Sequence, residues 1–352
     1  MRICRRESRE RVVFVRSSPH ATRDVKSSIA QTIFARLGRS TIRAAISLSV
    51  LAVAAFVLYA LLREVDFGKV VAAIAAQPVK QIAIGGAFVV TGYVALTFYD
   101  LFALRTIGQH NVPYSVAALA SFTSSTIGHS LGAAVLTGAL IRFRIYSVWG
   151  LTALDVAKIA FVTGMTFLLG NMVLLGGATA YAPEAAAAVD HLPPWVNRGI
   201  GLAGLLAIAC YLLWLAPRPR TVGRSGWRIV LPNLRLTLLQ IGIGALDLSL
   251  VTLAMYTLLP STPTAGFIGV LVIFLTASIL GTVSHAPGGL GVIEATMLVG
   301  LPEFPREELL AALLTFRALY FVLPLFLATL SLAFRELHLL AHARHADRYP
   351  GA

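Results

Sequence analysis

The sequence predicts an all-α polytopic membrane protein with about six full spans, two broken or re-entrant segments and an inverted repeat. Three observations predict it. Of the 352 residues, 57% are hydrophobic and only 13% are charged, too few polar groups to cover a water-facing surface. The apolar residues fall into eight long segments, against the roughly 20 residues a helix needs to cross the hydrocarbon. The basic residues cluster between and outside those segments, as the cytoplasmic loops of membrane proteins do.

Six segments have the length and composition of full spans: 44–62, 81–104, 152–180, 199–215, 237–259 and 309–334. Two others, 115–145 and 264–300, are crowded with Gly, Ser and Thr, and each carries a His and at least one charge. They read as broken helices, because irregular backbone at membrane depth needs protein or a wet cavity around it. The stretch 66–77 is too short to span and reads as an interfacial amphipathic helix.

Charge sets the topology. Eleven Lys and Arg lie in the first 43 residues, and Arg218, Arg220, Arg224, Arg228 and Arg235 share one loop. Arg335, Arg344 and Arg348 close the chain, while residues 181–197 hold two acids and no Lys or Arg. If both broken segments enter and leave from one side, all three basic clusters fall inside and the acidic loop outside. The sequence thus divides into a basic, disordered cytoplasmic tail (1–43), a transmembrane domain (44–335) and a basic cytoplasmic tail (336–352). The expected location is the inner (plasma) membrane, with both termini cytoplasmic. The basic clusters suit anionic lipid headgroups rather than nucleic acid. Cys4 and Cys210 match no disulfide or metal spacing, and no cofactor motif is present. Gly128-His-Ser-Leu-Gly132 spells the nucleophile-elbow pattern but lacks its preceding strand.

The same topology makes the two halves an inverted repeat, each span, span, re-entrant segment, span. His129-Ser-Leu-Gly132 resembles His285-Ala-Pro-Gly288, and the run from Gly138 to Arg142 loosely resembles the run from Gly291 to Glu294.

Charge within a membrane is costly, about 2.5–3.5 kcal/mol per group on insertion scales, and so marks candidate sites. Asp100 reads equally as an interfacial residue or a functional acid. Arg142 and Arg144 can snorkel, or hold a lipid phosphate with the guanidinium fork. Asp155 and Lys158 stand three apart on one helix and read as a mutual pair. Asp247 lies mid-span and must be paired, protonated or hydrated; a buried pair with Arg317 is the structural alternative to function. In the run from Ser284 to Glu294, Pro287 ends one helical piece and Gly288 and Gly289 permit tight backbone. A second helix starting near Leu290 can turn its free N–H groups toward an anion. His129 and His285 occupy matching positions, each either a hydrogen-bonded structural residue or a proton carrier.

Three stretches carry a family resemblance: SHAPGGLGVIEA (284–295), GALIRFRIYSVWGLT (138–152) and YDLFALRTIG (99–108). Over residues 44–334 the chain resembles the lysylphosphatidylglycerol synthase/flippase-like transmembrane family, which includes the membrane portion of the multiple peptide resistance factor. The resemblance implies a lipid-translocating domain with a charged cavity between two halves. It places Asp100, Arg142 and Glu294 on the family's charged positions. Only 18 residues follow Phe334, so no synthase domain and no aminoacyl transfer are expected. The expected function is a flippase-like lipid transporter rather than an enzyme. An intramembrane enzyme using His129, His285 and Glu294, and a non-transporting partner in a lipid-synthesis complex, are the alternatives. The sequence leaves the oligomeric state open.

Overall fold

The computed structural model describes residues 66–131, 134–216, 220–224 and 227–348. The N-terminal tail, the expected first span (44–62), Gly132 and Arg218 lie outside the described residues.

A short helix is present over the expected stretch as α1 (Phe67–Ala76), started by Asp66, whose side chain accepts from the Gly68 N–H at 2.8 Å. It packs against the helix that begins at Arg306. The first long span, α2 (Val79–Thr106), leads to a helical hairpin, α3 (Tyr114–Leu131) and α4 (Ala134–Tyr146). Next comes α5 (Ala153–Tyr181). Thr152 and Asp155 cap its N-terminus reciprocally: Asp155 N–H donates to the Thr152 hydroxyl at 3.2 Å and Thr152 N–H to the Asp155 carboxylate at 3.0 Å. Lys158 lies 3.9 Å from the same carboxylate, so Asp155 and Lys158 belong to the helix start.

A short helix, α6 (Pro183–Asp190), opens with proline at its first position. It lies in the acidic loop and packs on α7 (Pro194–Leu215) and on the second hairpin. The basic loop contains a two-stranded ribbon, β1 (Thr221–Arg224) and β2 (Trp227–Val230), with Thr221 opposite Val230. The helical reading of the sequence did not contain this ribbon. Its signal is the Ser225-Gly226 turn dipeptide between two short runs carrying β-branched residues.

The second half repeats the order. A long span, α8 (Leu234–Leu258), is followed by a hairpin of α9 (Gly266–Val283) and α10 (Val292–Gly300). The last span is α11 (Arg306–Arg317) continued by α12 (Leu323–Arg348), joined through a π-helical turn at Ala318–Val322. The helix therefore runs through residues 336–348, where the sequence reading placed a separate tail. Among the described residues α2, α5, α7, α8 and the α11–α12 helix are long and apolar enough to cross a membrane, as is α9. Yet α10 folds back on α9: a methyl at Gly300 would meet Ile273 at 2.5 Å, and one at Gly281 would meet Ile293 at 3.4 Å. Those pairings run in opposite senses, so the segment is an antiparallel hairpin. The protein is all-α and polytopic, as expected.

Without a hydrophobic drive between helices in lipid, close packing relies on small residues. Helices α5 and α8 cross at Gly170 and Gly244, where a methyl on Gly170 would lie 2.5 Å from the Gly244 carbonyl carbon. One turn away, Gln240 donates to the Thr166 hydroxyl at 3.1 Å. Helices α5 and α7 cross in the same manner at Gly176 and Gly201, where a methyl on Gly201 would reach the Gly176 oxygen at 2.6 Å. Gly170→Val should therefore destabilise the bundle by about 1–3 kcal/mol through overpacking. Gly164→Ala, on the same helix with nothing within 4 Å of the added methyl, should not. Thermal unfolding in detergent checks this; equal transition temperatures for the two variants would refute the crossing as a constraint.

Candidate functional site

The first hairpin is anchored by an ion pair buried in the bundle. Asp100 on α2 is fully buried and Arg142 on α4 is 7% exposed. The Arg142 Nε donates to both carboxylate oxygens, at 3.1 and 3.0 Å, and Nη2 donates to Oδ1 at 2.9 Å. The Tyr146 hydroxyl, one turn further along α4, donates to Oδ2 at 2.8 Å. Gly138 makes room for this: a methyl there would stand 3.3 Å from both Arg142 Nη1 and the Ser124 carbonyl of α3. Asp100 is thus a buried carboxylate whose two oxygens are both hydrogen-bonded.

The second hairpin is anchored by a pair of opposite polarity. Glu294, on its second limb, accepts from the Arg317 Nε of α11. Four residues between α9 and α10 have positive φ: His285 (55°), Gly288 (58°), Gly289 (63°) and Gly291 (79°). Glycine adopts these angles without steric penalty, whereas His285 is held there by its surroundings. Ser284 supports the turn, its hydroxyl donating to the Gly281 carbonyl at 2.7 Å and accepting from the Ala286 N–H at 3.2 Å. Arg317 Nη1 donates to the Gly288 carbonyl at 3.0 Å, and the guanidinium lies over the Phe321 ring at 5.5 Å. Its Nη2 is buried and has no hydrogen-bond partner among the described residues.

Two expectations are corrected here. Arg317 pairs with Glu294 and not with Asp247, because the turn at Gly288 brings α10 against α11. Asp247 instead accepts from the Tyr99 hydroxyl at 3.1 Å, between α2 and α8. The second half-helix begins at Val292 rather than Leu290, and Glu294 itself takes the Gly291 N–H at 2.8 Å. Its N-terminus is therefore already capped by its own carboxylate.

The tips of the two hairpins meet at one cavity of about 360 Å³. His129 of α3 and His285 of the second turn both line it, as do Gly288 and Gly289. Phe167, Phe274, Phe316, Tyr320 and Phe321 supply aromatic wall. Asp100, Arg142, Asp247, Glu294 and Arg317 do not line it. Tyrosines were missed by the sequence reading: Tyr146 and Tyr99 complete the carboxylate shells, and the Tyr93 hydroxyl donates to the Tyr320 carbonyl at 2.9 Å. Their only signal is position, one helical turn or one helix away from a buried acid.

Removing one partner of such a buried pair costs about 3–5 kcal/mol, while replacing both by apolar side chains costs far less. Asp100→Leu should consequently lower thermal stability in detergent more than Asp100→Leu/Arg142→Met. A double variant at or below the stability of the single one would show that the pair is not a closed unit.

No protein-family model matches the chain. It is 33% identical over 281 residues to the uncharacterized protein slr0712 of Synechocystis, covering 78% of this chain and 86% of that one. It is 29% identical over 245 residues to the inner membrane protein YbhN of Escherichia coli, covering 68% and 75%. A further 64 residues are 39% identical to the phosphatidylglycerol lysyltransferase of Staphylococcus haemolyticus, covering 18% of this chain and 8% of that one. At the first of these identities and coverages, the chain belongs to the same family as the Synechocystis protein slr0712.

Proposed function

We propose that this protein resides in the inner membrane and moves a phospholipid or lipid-linked substrate between leaflets, with its termini on the cytoplasmic side. The observation that carries the proposal is the cavity at the meeting point of two helical hairpins. A compartment of about 360 Å³ has the size and the mostly apolar wall of a binding site for part of an amphipathic molecule. Its polar side chains are few: His129, Ser278, Thr282 and His285. Acyl chains stay in the bilayer. The name of the Escherichia coli relative supports the membrane assignment, and the short match to a phosphatidylglycerol lysyltransferase supports a lipid as the substrate.

Two imidazoles on one cavity also suit acid–base chemistry on a lipid-linked substrate. Lipid extracts from the same vesicles, analysed by mass spectrometry, separate the two readings. A new lipid species would favour the enzyme.

The test is a leaflet-exchange assay with labelled phospholipid in proteoliposomes. Wild type should exchange label well above protein-free vesicles. Ser278→Phe, which fills the cavity from α9, should slow exchange at least tenfold, and His285→Ala should slow it by a smaller factor. Wild-type exchange no faster than in protein-free vesicles would remove the transport reading.

A further inference from the structure

A second cavity, of about 450 Å³, lies between α5, α7 and α9 beneath α6. Asn171, which does not line the first cavity, is part of this second cavity's wall. Asn171 is 4% exposed, and neither its Nδ2 nor its Oδ1 has a hydrogen-bond partner among the described residues. A buried polar group left unmatched costs about 1–3 kcal/mol, and hydrocarbon offers nothing to relieve it. The amide sits ten residues before the end of α5 at Tyr181, hence about 15 Å below that end. Something that enters the cavity must satisfy it, and both a donor and an acceptor are open.

The rest of the wall says what that is. Met172, Leu175, Ile200 and Ile279 make it apolar on three sides. Leu168 and Ile200 are themselves 49% and 57% exposed, so the cavity is reachable sideways, from where the acyl chains lie. At the α6 end the wall turns polar, with Thr179, Asn197 and Asp190. Asn197 donates to the Asp190 carboxylate at 3.1 Å. Apolar walls, then a lone amide, then polar groups toward one membrane face reproduce the order of chain, glycerol ester and headgroup in a membrane lipid.

We propose that this cavity binds a membrane lipid, its acyl chain along α5, α7 and α9 and its glycerol–ester region hydrogen-bonded to Asn171. Phe167 and Thr282 line both cavities, so the bound lipid abuts the central compartment across these two side chains. Binding here does not depend on the transport reading.

The experiment uses the full chain in nanodiscs of phosphatidylglycerol doped with the same lipid carrying a diazirine in one acyl chain, with adducts mapped by peptide mass spectrometry. Adducts should concentrate on residues 167–175 and 276–283. Gly204→Leu should reduce them at least fivefold, because a methyl at Gly204 meets nothing within 4 Å and the longer side chain fills the cavity without disturbing the fold. Asn171→Leu should reduce them at least threefold. Labelling of the exposed faces at Leu238 and Phe326 should not change in either variant. Adducts spread evenly over the lipid-facing helices, or unmoved by Gly204→Leu, would overturn the site. Loss with Gly204→Leu but not with Asn171→Leu would mean that water satisfies the amide, and would overturn the recognition. Labelling without leaflet exchange in parallel vesicles would count against transport and leave this site standing.

Discussion

Hydrocarbon does not hydrogen-bond, and that constraint governs both hairpins of this protein. A helix that breaks at membrane depth exposes backbone groups and needs neighbours to hold it. Each hairpin here has a buried charged side chain on its second limb, Arg142 or Glu294, tied to a long helix. Arg142 binds Asp100 of α2 with a forked contact, and Glu294 receives Arg317 of α11. Arg142 and Glu294 share the second limb with opposite signs, but Asp100 lies on the span before its hairpin and Arg317 on the span after its own. Removing one member of either pair leaves a buried charge without its counterion, so the pairs help to fix where the hairpin tips lie. The cavity at those tips is a consequence.

The second pair does more than hold position. Arg317 binds the carboxylate of Glu294, the carbonyl of Gly288 and the face of Phe321. One side chain therefore joins the last span to the turn and to the start of α10. The π-helical turn begins at the next residue, Ala318. Such turns commonly mark functional positions in helices, and this one displaces Tyr320 and Phe321 from regular register toward the cavity they line.

Much of this was legible in the sequence because composition and charge act over long stretches. Five spans, the short helix α1 and both broken segments follow from apolar run length and from Gly, Ser and Pro content. Asp100, Arg142, Glu294 and Arg317 stood out because ionisable groups are rare in such a setting. Their pairing was not legible, since it depends on how helices distant in sequence cross. Asp247 shows why: mid-span depth demanded a partner, but Tyr99 and Arg317 were equally available until the crossing of α2 with α8 was known. Asn171 was illegible for a different reason. A single amide in a helix of this length is ordinary, and only the geometry shows that no protein group answers it. Helix α6 and the β-ribbon escaped because eight-residue and four-residue elements leave no periodic signal.

The pairing also bears on what the central cavity can distinguish. With Asp100, Arg142 and Glu294 each engaged by a partner, the titratable side chains that line it are His129, His285 and Tyr320. A wall of aromatic rings and two imidazoles presents little fixed charge, and the nearest cation, Arg317, is already half neutralised by Glu294. A strongly charged cavity would bind an anionic headgroup tightly and release it slowly, which suits capture rather than passage. A weakly charged one lowers the desolvation cost for a headgroup without trapping it. The pairing within each half serves that end: the ions that build the site cancel within each half, so the hairpins can be anchored by charge while the space between them stays nearly neutral.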